Sequence, residues 1–195
     1  IVPGAPIGLD VERDELAFFP LIYWPMTERQ ATLSDGARAR INTYLRNGGT
    51  ILFDTRDQNL SGIGGVGPGT QTLRSLVGGL DIPALLEIPT THVLTKAFYL
   101  LHEFPGRWEG GRLFVQKPDE RVNDGVSSVI IGANDFAAAW AIDATGRPMF
   151  SVVPGSARQR ELAFRFGVNL VMYALTGNYK ADQVHVDEIL ERLGQ

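Results

Sequence analysis

The chain contains no cysteine, which excludes disulfide bridges, thiolate metal sites and cysteine nucleophiles together and leaves the redox compartment undetermined. Histidine is scarce, with three copies in 195 residues, and no HExxH or similar spacing links them into a ligand set, so no metal site is claimed. A GxSxG turn that would expose a nucleophilic serine is absent. So is the GK[ST] of a phosphate loop. Charge of one sign is missing as well: 18 Lys and Arg stand against 22 Asp and Glu, a net charge of -4. The basic residues are scattered, without the stripe a nucleic-acid backbone requires, so nucleic acid is not an expected partner. The longest apolar stretch, Leu16 to Met26, is broken by Pro20 and Pro25 and falls short of the roughly 20 residues that cross a bilayer.

What is present is ordinary for a globular domain: 44% hydrophobic and 21% charged residues, in a chain long enough to bury about 70% of its unfolded surface. Residues 1–9, with Pro3, Gly4, Pro6 and Gly8, read as a linker or entering arm, and residues 10–195 as one domain. The stretch Leu33 to Asn59 carries the clearest pattern. Ser34 is a candidate N-cap, Ala37, Ile41, Tyr44 and Leu45 recur at helical spacing, and Gly48 and Gly49 supply a left-handed stop. Thr50 to Phe53 is then a short apolar run of the kind buried inside a parallel sheet.

The remaining pattern alternates. Strands are predicted at Leu16 to Trp24, Arg112 to Gln116 and Ser127 to Ile131, with an edge strand at Pro148 to Val153. Helices are predicted at Thr70 to Val77, stopped by Gly78 and Gly79, and at Ser156 to Thr176, opened by a capping box of Ser156 and Gln159 and stopped by Gly177. The fold class is therefore α/β. On the long helix, Asn169 shares the face of Leu162, Phe166, Leu170 and Tyr173. A buried amide there reads as a tie to a neighbouring loop.

In an open α/β sheet, ligands sit beyond the carboxyl ends of the strands, which draws attention to Asp54, Thr55, Arg56 and Asp57, and to Asn134 and Asp135. For Asp135 the favoured reading is the cap of the Ala-rich segment Phe136 to Ala141. His92, in Pro89-Thr-Thr-His92, is the best-placed histidine for a base, or else a capping or loop-tying residue. Gly62-Ile-Gly64-Gly65-Val-Gly67-Pro-Gly69 contains GxGxxG, but seven residues separate it from Asp54. A dinucleotide fingerprint follows its strand directly, so a surface loop is the favoured reading.

Taken in order, GGTILFD at Gly48 to Asp54, HVLTKAFYL at His92 to Leu100, GRLFVQ at Gly111 to Gln116, Asn134-Asp135 with Trp140 downstream, and NLVMYALTGNYK at Asn169 to Lys180 resemble a bacterial domain family of unknown function. That family has a class I glutamine amidotransferase-like fold and usually forms the C-terminal domain of larger membrane-anchored proteins. The resemblance implies a flavodoxin-like three-layer sandwich with a mostly parallel sheet, and a parent whose membrane segments lie before Ile1. It also implies one further strand and helix at the start, which this chain lacks or carries elsewhere. True class I amidotransferases hydrolyse glutamine with a cysteine beside a histidine, so that chemistry is excluded here.

Two functional classes follow. The first is a non-catalytic module, a degenerate crevice lined by Asp54, Asp57, His92, Asn134 and Asp135 that holds an unidentified small molecule or protein partner, with no cofactor implied. The second is a hydrolase or transferase using Asp54 or Asp135 with His92, helped by a weakly held divalent ion. A third reading is a packing module, with Asp182 to Leu193 as a docking helix.

Overall fold

The computed structural model describes residues 6–60, 66–117 and 126–193, with residues 177–193 described by their backbone. The glycines at 62, 64 and 65 lie outside the described residues. Five strands, β1 (Leu21–Pro25), β2 (Thr50–Asp54), β3 (Leu85–Glu87), β4 (Phe114–Gln116) and β5 (Val129–Gly132), form one sheet in the order β1-β2-β5-β4-β3. Four helices accompany them: α1 (Asp35–Arg46), α2 (Pro68–Val77), α3 (Phe136–Trp140) and α4 (Ala157–Leu193).

Strands β1, β2 and β5 run parallel, with Phe53 paired to Trp24 on one side and to Ile131 on the other. The other half of the sheet departs from the expected mostly parallel arrangement, because β4 runs antiparallel to both β5 and β3. Parallel neighbours need a crossover connection, usually helical. The chain between β3 and β4 holds only a 3-10 turn at Val93–Thr95.

Alternation along the strands divides the apolar residues into two cores. Ile51, Phe53 and Val129 meet Ala37, Ile41, Tyr44 and Leu45 of α1 and Leu73 and Leu76 of α2 on one face. Leu52, Ile130 and Val115 meet Phe136 of α3 and Phe166, Leu170 and Tyr173 of α4 on the other. Leu9 and Val11 pack on the first of these cores, so the end of the entering arm is part of the domain. Ser34 caps α1 through its hydroxyl, which accepts from the Ala37 amide. Of the two glycines after that helix, Gly48 takes the left-handed turn at φ +90, whereas Gly49 lies against the Tyr44 ring, which would stand 2.2 Å from a Cβ at that position.

Several boundaries differ from those read off the pattern. Pro20 has no N–H to give a ladder; ahead of it Leu16–Phe18 forms a 3-10 turn capped by Glu15, and the strand starts at Leu21. Pro148 to Val153 is not a strand. It makes two isolated bridges, Ile142 with Pro148 and Trp108 with Val153, since prolines at 148 and 154 remove the donors an edge would use. The three-residue strand β3 gave no apolar run long enough to read. Helix α4 continues through Gly177 to Leu193, because one glycine costs a helix only about 1 kcal/mol and no proline follows it.

Candidate functional site

The chain reverses its winding between β2 and β5. After β2 it passes to α2 on one face of the sheet, and after β5 to α3 on the other. The crevice at such a switch point is where open α/β sheets place ligands. The structure brings four of the five expected residues, Asp54, Asp57, Asn134 and Asp135, to this edge.

Two of the four carboxylates and amides are occupied as helix caps. Asp54, fully buried, accepts from the Tyr23 hydroxyl at 2.7 Å, from the amides of Phe136 at 2.7 Å and Asp135 at 3.3 Å, and from the Arg56 amide at 3.1 Å. It thus satisfies the orphan donors that open α3. Burial pushes the Asp54 carboxyl above its ordinary range, opposed by the Tyr23, Phe136 and Arg56 donors. The Tyr23 hydroxyl is pushed up in turn, first by burial and then by Asp54. Asp57 accepts from the Thr55 hydroxyl and, at 2.8 Å, from the Thr70 amide in the first turn of α2.

This second cap explains the end of the glycine-rich segment. A Cβ on Gly67 would lie 2.1 Å from the Asp57 carboxylate, and one on Gly69 would lie 1.8 Å from the Thr55 carbonyl. The glycines let α2 close onto the end of β2, and the anion at that helix terminus is the protein's own side chain.

Asp135 stands at the N-cap position of α3 but does not cap it. Its backbone is left-handed at φ 53, as is that of Arg56 at φ 61, and these are the non-glycine residues with positive φ among the described residues. The two are bonded to each other: Arg56 Nε donates to Asp135 Oδ1 at 3.0 Å, while Arg107 Nη1 lies 3.7 Å from Oδ2. The carboxylate is buried, 6% exposed, between guanidiniums that are 41% and 34% exposed. Arg107 also lies 4.9 Å from the Trp108 ring and 5.7 Å from that of Phe150, and its Nε is buried with no hydrogen-bond partner among the described residues. Non-glycine residues in the left-handed region cost roughly 1–3 kcal/mol each and concentrate at functional sites. Asn134 anchors the loop 104–111: its amide donates to the Phe104 carbonyl at 2.7 Å, and its Oδ1 abuts Gly111, 2.0 Å from where a Cβ would stand.

His92 does not join the crevice. It caps the turn Val93–Thr95, its Nδ1 accepting from the Leu94 amide at 3.2 Å, which leaves Nε2 protonated and facing Ser127 Oγ at 3.3 Å. Ser127 precedes β5, whereas Asp54 pairs with Gly132 at the opposite end of that strand. Five residues at about 3.3 Å each separate Ser127, which His92 faces, from Gly132, which Asp54 pairs with, by roughly 16 Å, too far for one bridging water. Burial, with the Tyr173 ring 5.5 Å away, pushes the His92 pKa down to about 4. Among the described residues no three His, Asp or Glu side chains come together in a set that would hold a metal ion.

Arg56 and Arg107 are the residues that sequence reasoning passed over or left in the background. Arg56 was visible only by its place after β2, and Arg107 comes from a loop whose docking on the Asn134–Asp135 turn no local pattern announces. A wider cleft of about 770 Å³ runs along the outer face of α4 past Arg160, Phe164, Arg165 and Val168. It adjoins the segment 150–153, which bonds and stacks on Arg107. Its cations are already engaged, Arg160 with the carbonyls of Ala139 and Phe150 and Arg165 with Glu161.

Residues 1–175 match the family model of DUF4159, a domain of unknown function. The chain belongs to the DUF4159 family. The match takes in every strand and the first half of α4. No curated protein matches the chain. No helix among the described residues of this DUF4159 domain is long and apolar enough to cross a membrane.

Proposed function

We propose that this DUF4159 domain is a non-catalytic ligand-binding module, built on an amidotransferase-like scaffold and carried by a bacterial membrane-anchored envelope protein. The observation that supports it is the division of labour at the switch point. Asp54 and Asp57 are consumed in capping α3 and α2, Asp135 is paired with Arg56 and Arg107, His92 is at the other end of the sheet, and the groups turned outward are the guanidiniums of Arg56 and Arg107. A pair of partly exposed guanidiniums held in place by a buried carboxylate is suited to binding anions. The same arrangement argues against the hydrolase reading, which needs Asp54 or Asp135 within reach of His92.

The test is thermal unfolding of the chain with phosphate, citrate, amino acids and nucleotides, repeated on an Arg56→Gln, Arg107→Gln double variant. Binding at about a hundred times the dissociation constant adds roughly 2.7 kcal/mol, about 5–10 °C for a chain of this size. A shift lost in the double variant supports the crevice. No shift with any of these ligands refutes it in favour of a protein-interaction module. One observation favours that second reading: Phe164, Val168, Val171 and Leu175 line one exposed stripe of α4, each at least 40% exposed.

A further inference from the structure

Among the described residues, the central strand is left partly open on the α2 side of the sheet. In a sheet covered on both faces, apolar residues of a central strand are closed off from water. Ile130 of β5 obeys this on the α4 side, at 0% exposed. Ile131 on the α2 side does not: it is only partly buried, as are its partner Phe114 on β4 and Leu85 on β3. Between these residues and Leu73, Val77 and Ile82 lies a cleft of about 350 Å³. That falls within the usual range for small-molecule sites.

We infer that this cleft binds a small amphipathic anion, its apolar body against Phe114 and Ile131 and its acidic head at Arg74 and Arg112. The charged residues lining the cleft are those two arginines, both of one sign. Arg74 makes no ion pair among the described residues. Arg112, 69% exposed, holds Glu87 loosely at 3.4 Å and lies 5.7 Å from the Phe114 ring, so its guanidinium can turn to a ligand without leaving a buried charge unpaired. The polar wall near the strand end is already satisfied, since the Thr55 hydroxyl and the Thr70 amide both donate to Asp57. A ligand therefore finds charged partners only at the cationic rim. At the roughly 30 Å³ that a water molecule occupies in the liquid, the volume admits about a dozen non-hydrogen atoms. Octanoate or decanoate fits; a long-chain lipid does not. This site shares no residue with the Arg56 and Arg107 pair and stands independently of the function proposed for it.

The experiment is methyl-labelled NMR of the whole chain titrated with hexanoate, octanoate, decanoate, hexadecanoate and decanol. Saturable shifts are expected at the Ile131, Val77 and Leu73 methyls. Affinity should rise about fourfold per added methylene up to decanoate, with hexadecanoate gaining nothing more and decanol at least tenfold weaker. Val77→Trp, which fills the cleft from a half-buried helix position, should abolish the shifts. The surface pair Arg74→Glu and Arg112→Glu should weaken decanoate at least tenfold while leaving the fold intact. Shifts absent at every chain length, or decanol binding as tightly as decanoate, overturn the proposal. Competition by citrate or phosphate, which have no apolar body, would place the acid at Arg56 and Arg107 instead, refuting this site and supporting the other.

Discussion

Replacing Asp54 with alanine separates a cap from a catalytic carboxylate by the sign of its effect on stability. The side chain accepts four hydrogen bonds. Two come from the amides of Asp135 and Phe136, which are buried and would lose their partner with no water to replace it, at about 1–3 kcal/mol each. The Tyr23 hydroxyl and the Arg56 amide are partly buried and can recover water at a smaller loss. Relief from holding a desolvated charge returns part of this, leaving a net loss of about 4 kcal/mol, or roughly 8–16 °C in melting temperature. Urea unfolding at neutral pH measures it. Tyr23→Phe alone should cost about 1–2 kcal/mol, and the double variant should show at least about 1 kcal/mol of coupling, as expected for groups in direct contact. Catalytic groups held against their preferences behave oppositely, and their removal leaves a protein equally or more stable. An Asp54→Ala variant losing less than about 1 kcal/mol would refute the capping argument.

Two further predictions rest on buried polar side chains. His92, held neutral with a pKa near 4 against about 6.5 in an unfolded chain, binds its proton more readily when unfolded. The domain should therefore lose up to about 3 kcal/mol as pH falls from 6.5 to 4, with no further loss from this group below that; in His92→Gln the difference between urea midpoints at pH 7 and pH 4.5 should shrink. Asn169 accepts from the amides of Phe98 and Tyr99 and donates to the carbonyls of Leu94 and Tyr99. Asn169→Leu strands four backbone groups and should cost about 3 kcal/mol or more, read as a lowered urea midpoint, whereas a merely space-filling residue would tolerate the exchange.

What the sequence made legible was whatever depended on neighbours along the chain. The helix from Asp35, its Ser34 cap, the β2 run and the Ser156 cap on the Gln159 amide all follow from spacing within a few residues and stand in the structure, although the Gln159 side chain reaches back to the Gly155 amide and not to that of Ser156. Asn169 ties α4 to the segment 94–99, as its place on the apolar face suggested. What escaped was set by distant partners. The reversal of β4 depends on which strands flank it. The cap of α3 comes from Asp54 and not from the adjacent Asp135. The position of His92 at the far edge depends on how the segment after β3 folds back onto Ser127. Residue type at a strand end marked the crevice, but which side chains face outward was decided by long-range bonds that no local pattern encodes.

The cap on α3 also bears on the order in which the molecule assembles. A five-residue helix has no stability of its own in water, and the acceptor for the Phe136 amide arrives from a residue 82 positions earlier in the chain. That helix cannot persist until β2 lies beside β5, and closing so long a loop is slow compared with local steps. The carboxyl edge of the sheet thus sets no earlier than the pairing of β2 with β5 and, by the same coupling, opens only with the strand pair beneath it. The Phe136 amide should exchange its hydrogen at the rate of the central strands, not at the rate of a fraying surface turn.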